Sequence, residues 1–285
     1  MKINIPIRLE EVEFQKNVYP FLSKAKRGYV CKIALYKVFN YILIFLYTGC
    51  QWKSLPIENK KDKPSEKEIS PQAVYYHLRK WSRDGSLKKV FEASLQSIAN
   101  ELDLSNINFD GSHTIGKKGG KSVKYQGRKK AKTSNILPVV DKNGNILATT
   151  KIIAGNHHDN FELADNLTHL FKDMKNRNLP ITGAYFNADS AFDTKKARKI
   201  CWNYGLLPNI DTNKRNRKAN KRGRKRHFNK QIYNNRFCIE RTFAWLDKFK
   251  RLLIRFERND DFFLGLHFIA FAMINLRYVI GKSLI

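Results

Sequence analysis

The sequence predicts an α/β protein in which an all-helical segment precedes strands that alternate with helices. Two observations support this fold class. Apolar side chains recur at helical spacing over residues 29–48 and 72–81. From Asn106 onward, short apolar runs alternate with helical periods in the order strand, hairpin, helix, strand, helix, strand, helix. We therefore expect a helical domain over residues 1–104 and an α/β domain over residues 105–285.

The helical segment contains start and stop signals. Gly49 follows the first apolar period as a stop signal, and Ser70-Pro71 is a helix cap followed by proline at the first helical position. One face of the second helix carries Val74, Leu78 and Trp81. Asp84-Gly85 then predicts a turn before a further helix, as in a helix-turn-helix DNA-binding motif. An ordinary helical bundle with a basic surface is an open alternative.

Turn and cap signals also organise the α/β segment. Residues 107–110 alternate in polarity like a half-buried strand, and Asn143-Gly144 between two apolar runs predicts a hairpin. Asp159 to Glu162 has the pattern of a capping box at a helix start. The later elements expected are a strand at 184–189, a helix at 194–204, a strand at 206–210 and a long helix at 232–258. The apolar face of that long helix comprises Ile239, Phe243, Leu246, Phe249, Leu253 and Phe256.

The charge balance points to a polyanionic partner. The chain has 54 Lys and Arg against 25 Asp and Glu, a net charge of +29. The chain has two basic runs, at residues 117–132 and 214–230. Self-repulsion disfavours these runs as independently folded elements, whereas phosphate contact would favour both. The candidate DNA contacts in these runs are Lys117, Lys118, Lys129, Lys130, Arg222, Arg224, Lys225 and Arg226. The alternative is that both runs are solvated lysine-rich loops.

Other residue patterns exclude several classes of protein. The four cysteines show no C-x-x-C spacing, which favours a reduced cytosolic chain without structural zinc. The apolar stretches 33–48 and 262–276 are interrupted by polar residues or are shorter than the roughly 20 apolar residues of a membrane span. We therefore expect both to be buried helices, the second packed on the core, and we expect no membrane partner.

Three carboxylates are candidates for a catalytic metal site. Asp110 and Asp189 end apolar strands, where a neutral residue would be cheaper to bury. Glu240 lies on the polar face of the long helix, and an exposed ion pair with Arg236 is its simplest alternative role. That polar face comprises Tyr233, Arg236, Glu240, Asp247 and Arg251. A divalent Mg²⁺ or Mn²⁺ ion would relieve repulsion between converging carboxylates and could organise attack on a phosphodiester.

Three nearby features have simpler interpretations. Adjacent His157 and His158 would point to opposite faces of a strand, which disfavours metal binding. Asp193 is expected to cap the helix that follows it. His113 is expected to be a solvated loop histidine.

The motifs that carry these carboxylates resemble those of a known family. The segments 108–113 (Asn-Phe-Asp-Gly-Ser-His), 187–193 (Asn-Ala-Asp-Ser-Ala-Phe-Asp) and Tyr233-x2-Arg236-x3-Glu240, with Arg-Thr-Phe-Ala-Trp-Leu after it, are similar to the acidic motifs of bacterial DDE insertion-sequence transposases of the insertion-sequence-four/five-like group. Residues 47–56 also resemble the leading helical domain of that group. One departure is Asp247, which stands where the family has a lysine, with Lys248 one step later and Arg251 as a possible substitute for phosphate contact.

The resemblance implies a ribonuclease-H-like mixed sheet with flanking helices. It places Asp110 on the first strand, Asp189 on the fourth and Glu240 on a late helix. It further implies a cytoplasmic, nucleoid-associated transposase that binds the terminal inverted repeats of double-stranded DNA and works as a homodimer or larger assembly. Two Mg²⁺ or Mn²⁺ ions on the three carboxylates would support cleavage and strand transfer, with Tyr233 and Arg236 holding phosphate or orienting Glu240. A non-catalytic DNA-binding regulator and a nuclease without strand transfer are the alternatives.

Overall fold

The computed structural model describes residues 4–24, 31–213 and 228–280 of the chain, and it divides into two compact units. The helical unit comprises Met1–Glu101, Thr114–Lys121 and Trp245–Ile285. The sheet unit comprises Leu102–His113 and Ser122–Ala244. The compact helical unit therefore also includes residues that follow the predicted division at residue 104. That division stays a prediction.

The helical unit is built from helices that bury their apolar faces against one another. Its elements are α1 (Glu11–Asn17), α2 (Leu35–Thr48), α3 (Pro71–Arg83), α4 (Ser86–Ser97), α9 (Lys250–Leu253), β10 (Ile254–Arg255) and α10 (Asp260–Leu276). The predicted signals are confirmed at two ends. Gly49 ends α2 in the left-handed conformation at φ 70°, and Ser70 caps α3 by accepting a hydrogen bond from the backbone N–H of Ala73.

Helix α10 forms the core of the helical unit together with α3 and α4. Almost every side chain from Phe262 to Leu276 is buried, as predicted. Its backbone approaches α3 closely at Gly265, where an added Cβ would lie 2.3 Å from the Ser82 hydroxyl oxygen. None of the helices in the described part of the chain is long and apolar enough to cross a membrane.

The sheet unit contains a central five-stranded sheet with helices around it. Its elements are β1 (Asn106–Phe109), β3 (Lys124–Gln126), β4 (Ala131–Ile136), β5 (Pro138–Val140), β6 (Ile146–Thr149), β7 (Ile153–Ala154), α5 (Leu163–Asn176), β8 (Tyr185–Ala188), α6 (Lys195–Asn203), β9 (Leu207–Ile210), α7 (Lys230–Asn234) and α8 (Phe237–Leu246). Strand β2 (Ser112–Gly116) begins in this unit and ends in the helical unit, where it pairs in parallel with β10.

The central sheet has the strand order β6-β5-β1-β8-β9. Strand β5 is antiparallel to β1 and to β6, joined to β6 by the predicted hairpin with Gly144 at φ 81°. Strands β8 and β9 are parallel to β1 and follow it in order across the sheet. This mixed sheet confirms the predicted fold class. Counted along the chain, β1 is the first strand of this sheet and ends just before Asp110, and β8 is the fourth and ends just before Asp189.

The single helix predicted over residues 232–258 is wrong. The chain instead forms α7, α8, α9 and β10, with breaks at residues 235–236 and 247–249. Asparagine disfavours helix interiors, which accounts for the first break after Asn234. At the second break Phe249 is fully buried, whereas Leu253 and Phe256 are 40% and 38% exposed. Burial of Phe249 and pairing of β10 with β2 thus end the helix that the apolar spacing predicted to continue to residue 258.

Candidate active site

The two strand-end aspartates lie side by side because their strands are parallel neighbours. Phe109 of β1 is in register with Ala188 of β8, so Asp110 and Asp189 are the next residues at the same edge of the sheet. Neighbouring strands run about 4.8 Å apart, which brings the two residues together. Each carboxylate also accepts a hydrogen bond from the next backbone N–H, at 2.8 Å from Gly111 and 2.6 Å from Ser190.

Asp110 is held in an environment of mixed charge. Burial raises its pKa, whereas the Gly111 N–H and the Arg236 guanidinium act in the opposite direction. The negative charges of Asp159 and Asp189 raise the pKa further, and the net shift is upward. The Nη1 atom of Arg236 lies 3.2 Å from Oδ2 of Asp110. The Arg236 guanidinium is therefore a cationic partner of Asp110, although no residue next to Asp110 in the sequence is basic.

Asp159 is a further carboxylate near Asp110, and its predicted role as a helix cap is wrong. Helix α5 begins at Leu163, and Asp159 instead accepts a hydrogen bond from Asn135 at 2.6 Å. Its Oδ1 atom also lies 3.3 Å from Nε2 of His113, and the His113 contact is the main reason that its pKa is lowered. An added Cβ at Gly111 would lie 2.8 Å from the same Oδ1, so glycine permits this approach.

Two further sequence-based interpretations are corrected here. The His113 side chain is 5% exposed on β2, with Nδ1 3.2 Å from the Thr133 hydroxyl, so it is not a solvated loop residue. Thr194 caps α6, whereas Asp193 forms a buried ion pair with Arg198 at 2.8 Å.

The third acidic motif approaches the aspartates through Arg236. This residue lies between α7 and α8, and Glu240 follows it by one helical turn with its side chain exposed. The Arg236 guanidinium carbon lies 5.6 Å from the ring centre of Tyr233. Burial is the main reason that the pKa of Tyr233 is raised, with Asp189 and Asp211 acting in the same direction. The ion pair that the structure shows for Arg236 is with Asp110, not the alternative pair with Glu240.

A row of buried asparagines joins α7 to the central sheet. The Nδ2 atom of Asn187 donates to Oδ1 of Asn108 at 2.9 Å, and Nδ2 of Asn209 donates to Oδ1 of Asn187 at 2.8 Å. Asn209 then bonds the backbone N–H and carbonyl of Asn229, the residue that caps α7. Because α7 precedes Arg236 and Glu240, the asparagine row fixes the start of the third motif relative to β8. The apolar periodicity of the sequence did not predict this asparagine row, because the residues are polar.

We predict that Asn187→Ala lowers the free energy of unfolding by about 1–3 kcal/mol, because the buried amides of Asn108 and Asn209 each lose one hydrogen bond. Urea denaturation of the full chain measures this change. Asn106→Ala is the matched control on β1, since within the described residues Oδ1 of Asn106 has no hydrogen-bond partner to lose. Equal losses in the two variants would contradict the role given to the row.

The carboxylates do not stand in a preformed metal cage. Among the described residues, no group of three or more His, Cys, Asp or Glu side chains has an arrangement that could hold a metal ion. The donor chemistry nevertheless suits a hard divalent cation, because Asp110, Asp159 and Asp189 all carry carboxylate oxygens, which such cations prefer. Burial is the main cause of the raised pKa of Asp110, and the negative charges of Asp159 and Asp189 add to it; a bound cation would offset those charges.

The candidate DNA-binding cations have different surroundings. Lys117, Lys118, Lys129, Lys130 and Lys248 are exposed. Arg222, Arg224, Lys225 and Arg226 lie outside the described residues. The first basic run does form strands, since β3 and β4 pair as a hairpin across residues 124–133.

Arg251 does not continue the polar stripe of Glu240, because the helix ends between them. Its Nη2 atom lies 2.7 Å from Oε1 of Glu257, and the side chain is 11% exposed. The prediction that Arg251 shares the polar face of one helix with Glu240 is therefore wrong, and a phosphate contact by Arg251 stays a prediction.

Comparison with known proteins defines the class to which this fold and site belong. The family model described as the transposase DDE domain matches residues 101–276, more than half of the chain. The chain belongs to this family, and is thus a DDE transposase. Among solved structures, the chain is similar to the Mos1 transposase paired-end complex with left transposon end, at 12% identity and a TM-score of 0.28, over 91% of this chain and 82% of that chain. No curated protein matches it.

Proposed function

We propose that this transposase cuts DNA at the terminal inverted repeats of its element and joins the freed ends to target DNA, with Asp110, Asp189 and Glu240 as the catalytic carboxylates. The parallel register of β1 and β8 carries the proposal, because it brings Asp110 beside Asp189 while Arg236 of the third motif contacts Asp110 at 3.2 Å. Glu240 stands one turn beyond that contact. Family membership favours an enzyme over a DNA-binding regulator.

The three carboxylates would hold two Mg²⁺ or Mn²⁺ ions. When bound, such ions stabilise the attacking and leaving oxygens of a phosphodiester displacement. Asp110 and Asp189 supply ligands from the rigid edge of the sheet, and Glu240 supplies one from an exposed helix face. The fixed strands would determine the position of the reacting phosphate.

Arg236 and Tyr233 would bind the DNA backbone beside these carboxylates. A guanidinium presents several N–H donors to phosphate oxygens, and that of Arg236 also donates to the Asp110 carboxylate at 3.2 Å. The phenol of Tyr233 is a hydrogen-bond donor, and burial, which raises its pKa, further favours the protonated form.

The partner in this proposal is double-stranded DNA, at both the element ends and the target. The net charge of +29 and the exposed lysines of residues 117–130 supply the sequence-independent part of binding. Simultaneous handling of two element ends calls for a homodimer or larger assembly on DNA. We further propose that the protein acts in the bacterial cytoplasm at the nucleoid.

A cleavage and joining assay tests the proposed function. Duplexes that carry the inverted repeats flanking the gene are incubated with the full chain in Mg²⁺, in Mn²⁺ and in a chelator. We expect cut ends and joined products with either metal and neither product with the chelator. Specific binding of these ends without cutting would favour a regulator, whereas cut ends without joined products would favour a plain nuclease.

A further inference from the structure

A groove in the helical unit combines aromatic walls with a cationic rim. It has a volume of about 560 Å³, within the range of small-ligand sites. Residues from the loop after α2, from α3 and from the segment around the start of α10 form its walls, and Lys118 of the first basic run also borders it. All of these residues belong to the helical unit, whereas Asp110, Asp189 and Glu240 belong to the sheet unit.

We propose that this groove binds an unpaired segment of a DNA strand. The inference deepens the proposed function, because it rests on the protein handling DNA and names a second DNA site. Its ligand chemistry is a nucleobase face together with the phosphates on either side of it.

The aromatic side chains are arranged as a stacking surface. The Trp52 ring stacks on buried Phe45 at 3.8 Å between ring centres, which fixes its orientation. Tyr75 meets Trp52 edge to face at 5.3 Å and meets Phe262 at 6.0 Å. Tyr75 and Phe256 remain 36% and 38% exposed, although both border the groove. Rigid, partly exposed rings of this kind are the surfaces on which unpaired bases stack.

The charges around the groove favour a polyanion. Lys53, Lys118 and Arg258 border it and are exposed. The acidic side chain in its wall, Glu257, is 10% exposed and is neutralised by Arg251. Phosphates that flank a stacked base would therefore meet net positive charge.

The combination of features selects a single strand over a duplex. A duplex keeps its bases stacked on each other, so it offers phosphates to the lysines but no base face to the rings. An unpaired base can use both features at once. Stacking makes the site tolerant of base sequence, because every base has an aromatic face.

Binding measured in a chelator tests this site without any catalysis. Fluorescence anisotropy compares a labelled single-stranded oligonucleotide with a duplex of the same sequence, using the full chain. Loss of one base stack should weaken single-strand binding by about five- to tenfold or more in Tyr75→Ala and in Phe256→Ala. Duplex binding should change less than about twofold, because the lysines remain.

Tyr76→Ala is the matched control, since Tyr76 is the neighbouring tyrosine on α3, is 59% exposed and does not border the groove. It should bind both oligonucleotides like the unmodified chain. Phe256→Ala is a second, independent test of the same site, because this ring is 38% exposed and lies outside any helix, unlike Tyr75 on α3. Photocrosslinking of an iodouracil-containing strand should label Trp52, Tyr75 or Phe256.

Equal single-strand binding by Tyr75→Ala, Phe256→Ala and Tyr76→Ala would overturn the groove proposal, as would crosslinks confined to other segments. Equal loss of single-strand and duplex binding would also overturn it, because that result describes a charge-only surface. Because no cleavage is required, a failed joining assay with intact discrimination between strands would overturn the proposed function and leave the groove in place. Active joining without discrimination between single strand and duplex would overturn the groove proposal and leave the proposed function in place.

Discussion

Asp110→Asn should abolish both cutting and joining of element ends, with a rate loss of about a thousandfold or more. An amide keeps the size of the side chain but removes the charge that would hold a divalent cation, and metal stabilisation of the reacting oxygens is worth several kcal/mol. Initial rates of product formation in Mg²⁺ measure the effect. Binding of the end duplex should remain within a few-fold, because the exposed lysines are unchanged.

We expect this variant to fold, because the amide has the size of the carboxyl group. It loses the ion pair with Arg236, but it also loses a charge that burial, Asp159 and Asp189 disfavour. Asp165→Asn is the control, since it makes the same change of charge on an exposed position of α5. An Asp110→Asn variant with near-normal joining, or an Asp165→Asn variant with equal loss, would contradict the catalytic assignment.

The largest expected effect on stability belongs to the buried pair of Asp193 and Arg198, each with a side chain 5% exposed. Arg198 also donates to the backbone carbonyls of Pro208 and Ile210 at 3.4 and 2.7 Å, and so ties α6 to β9. Asp193→Ala leaves a buried guanidinium without its carboxylate. We expect the free energy of unfolding to fall by about 3–5 kcal/mol in urea denaturation.

A pair with a more exposed carboxylate provides the comparison for this prediction. Asp173 and Arg177 form an ion pair at 2.7 Å at the end of α5, and their side chains are 34% and 14% exposed, so Asp173→Ala should cost clearly less than Asp193→Ala. Combining Asp193→Leu with Arg198→Met should recover part of the loss, because no unpaired charge then stays buried. Similar losses in the Asp193→Ala and Asp173→Ala variants would show that the buried pair does not stabilise the sheet unit.

Local signals predicted much of the fold because each has a short-range physical cause. Ser70 caps the helix that begins at Pro71, and Gly144 adopts the left-handed conformation that the hairpin requires. Apolar runs likewise predicted β1, β8 and β9, and the strand ends identified Asp110 and Asp189 as candidates. Their proximity required the parallel register of two strands that are far apart in the sequence.

The rest of the site depends on long-range contacts that leave no periodic pattern. Asp159 satisfies a capping-box pattern, yet Asn135 and His113 bind its carboxylate. The asparagines that join β8, β9 and α7 are polar residues buried inside a sheet, where polarity alone predicts exposure. The break after α8 likewise depends on burial of Phe249, which helical spacing does not distinguish from a continuous helix.

Direct measurement of Mn²⁺ binding tests the central claim, that Asp110, Asp189 and Glu240 together hold catalytic cations. Electron paramagnetic resonance of free Mn²⁺ gives the affinity of the full chain bound to an end duplex, with the duplex alone subtracted. Asp110→Asn, Asp189→Asn and Glu240→Gln should each weaken binding by about tenfold or more, whereas Asp165→Asn should not. Unchanged Mn²⁺ affinity in any one of the three variants would contradict the claim.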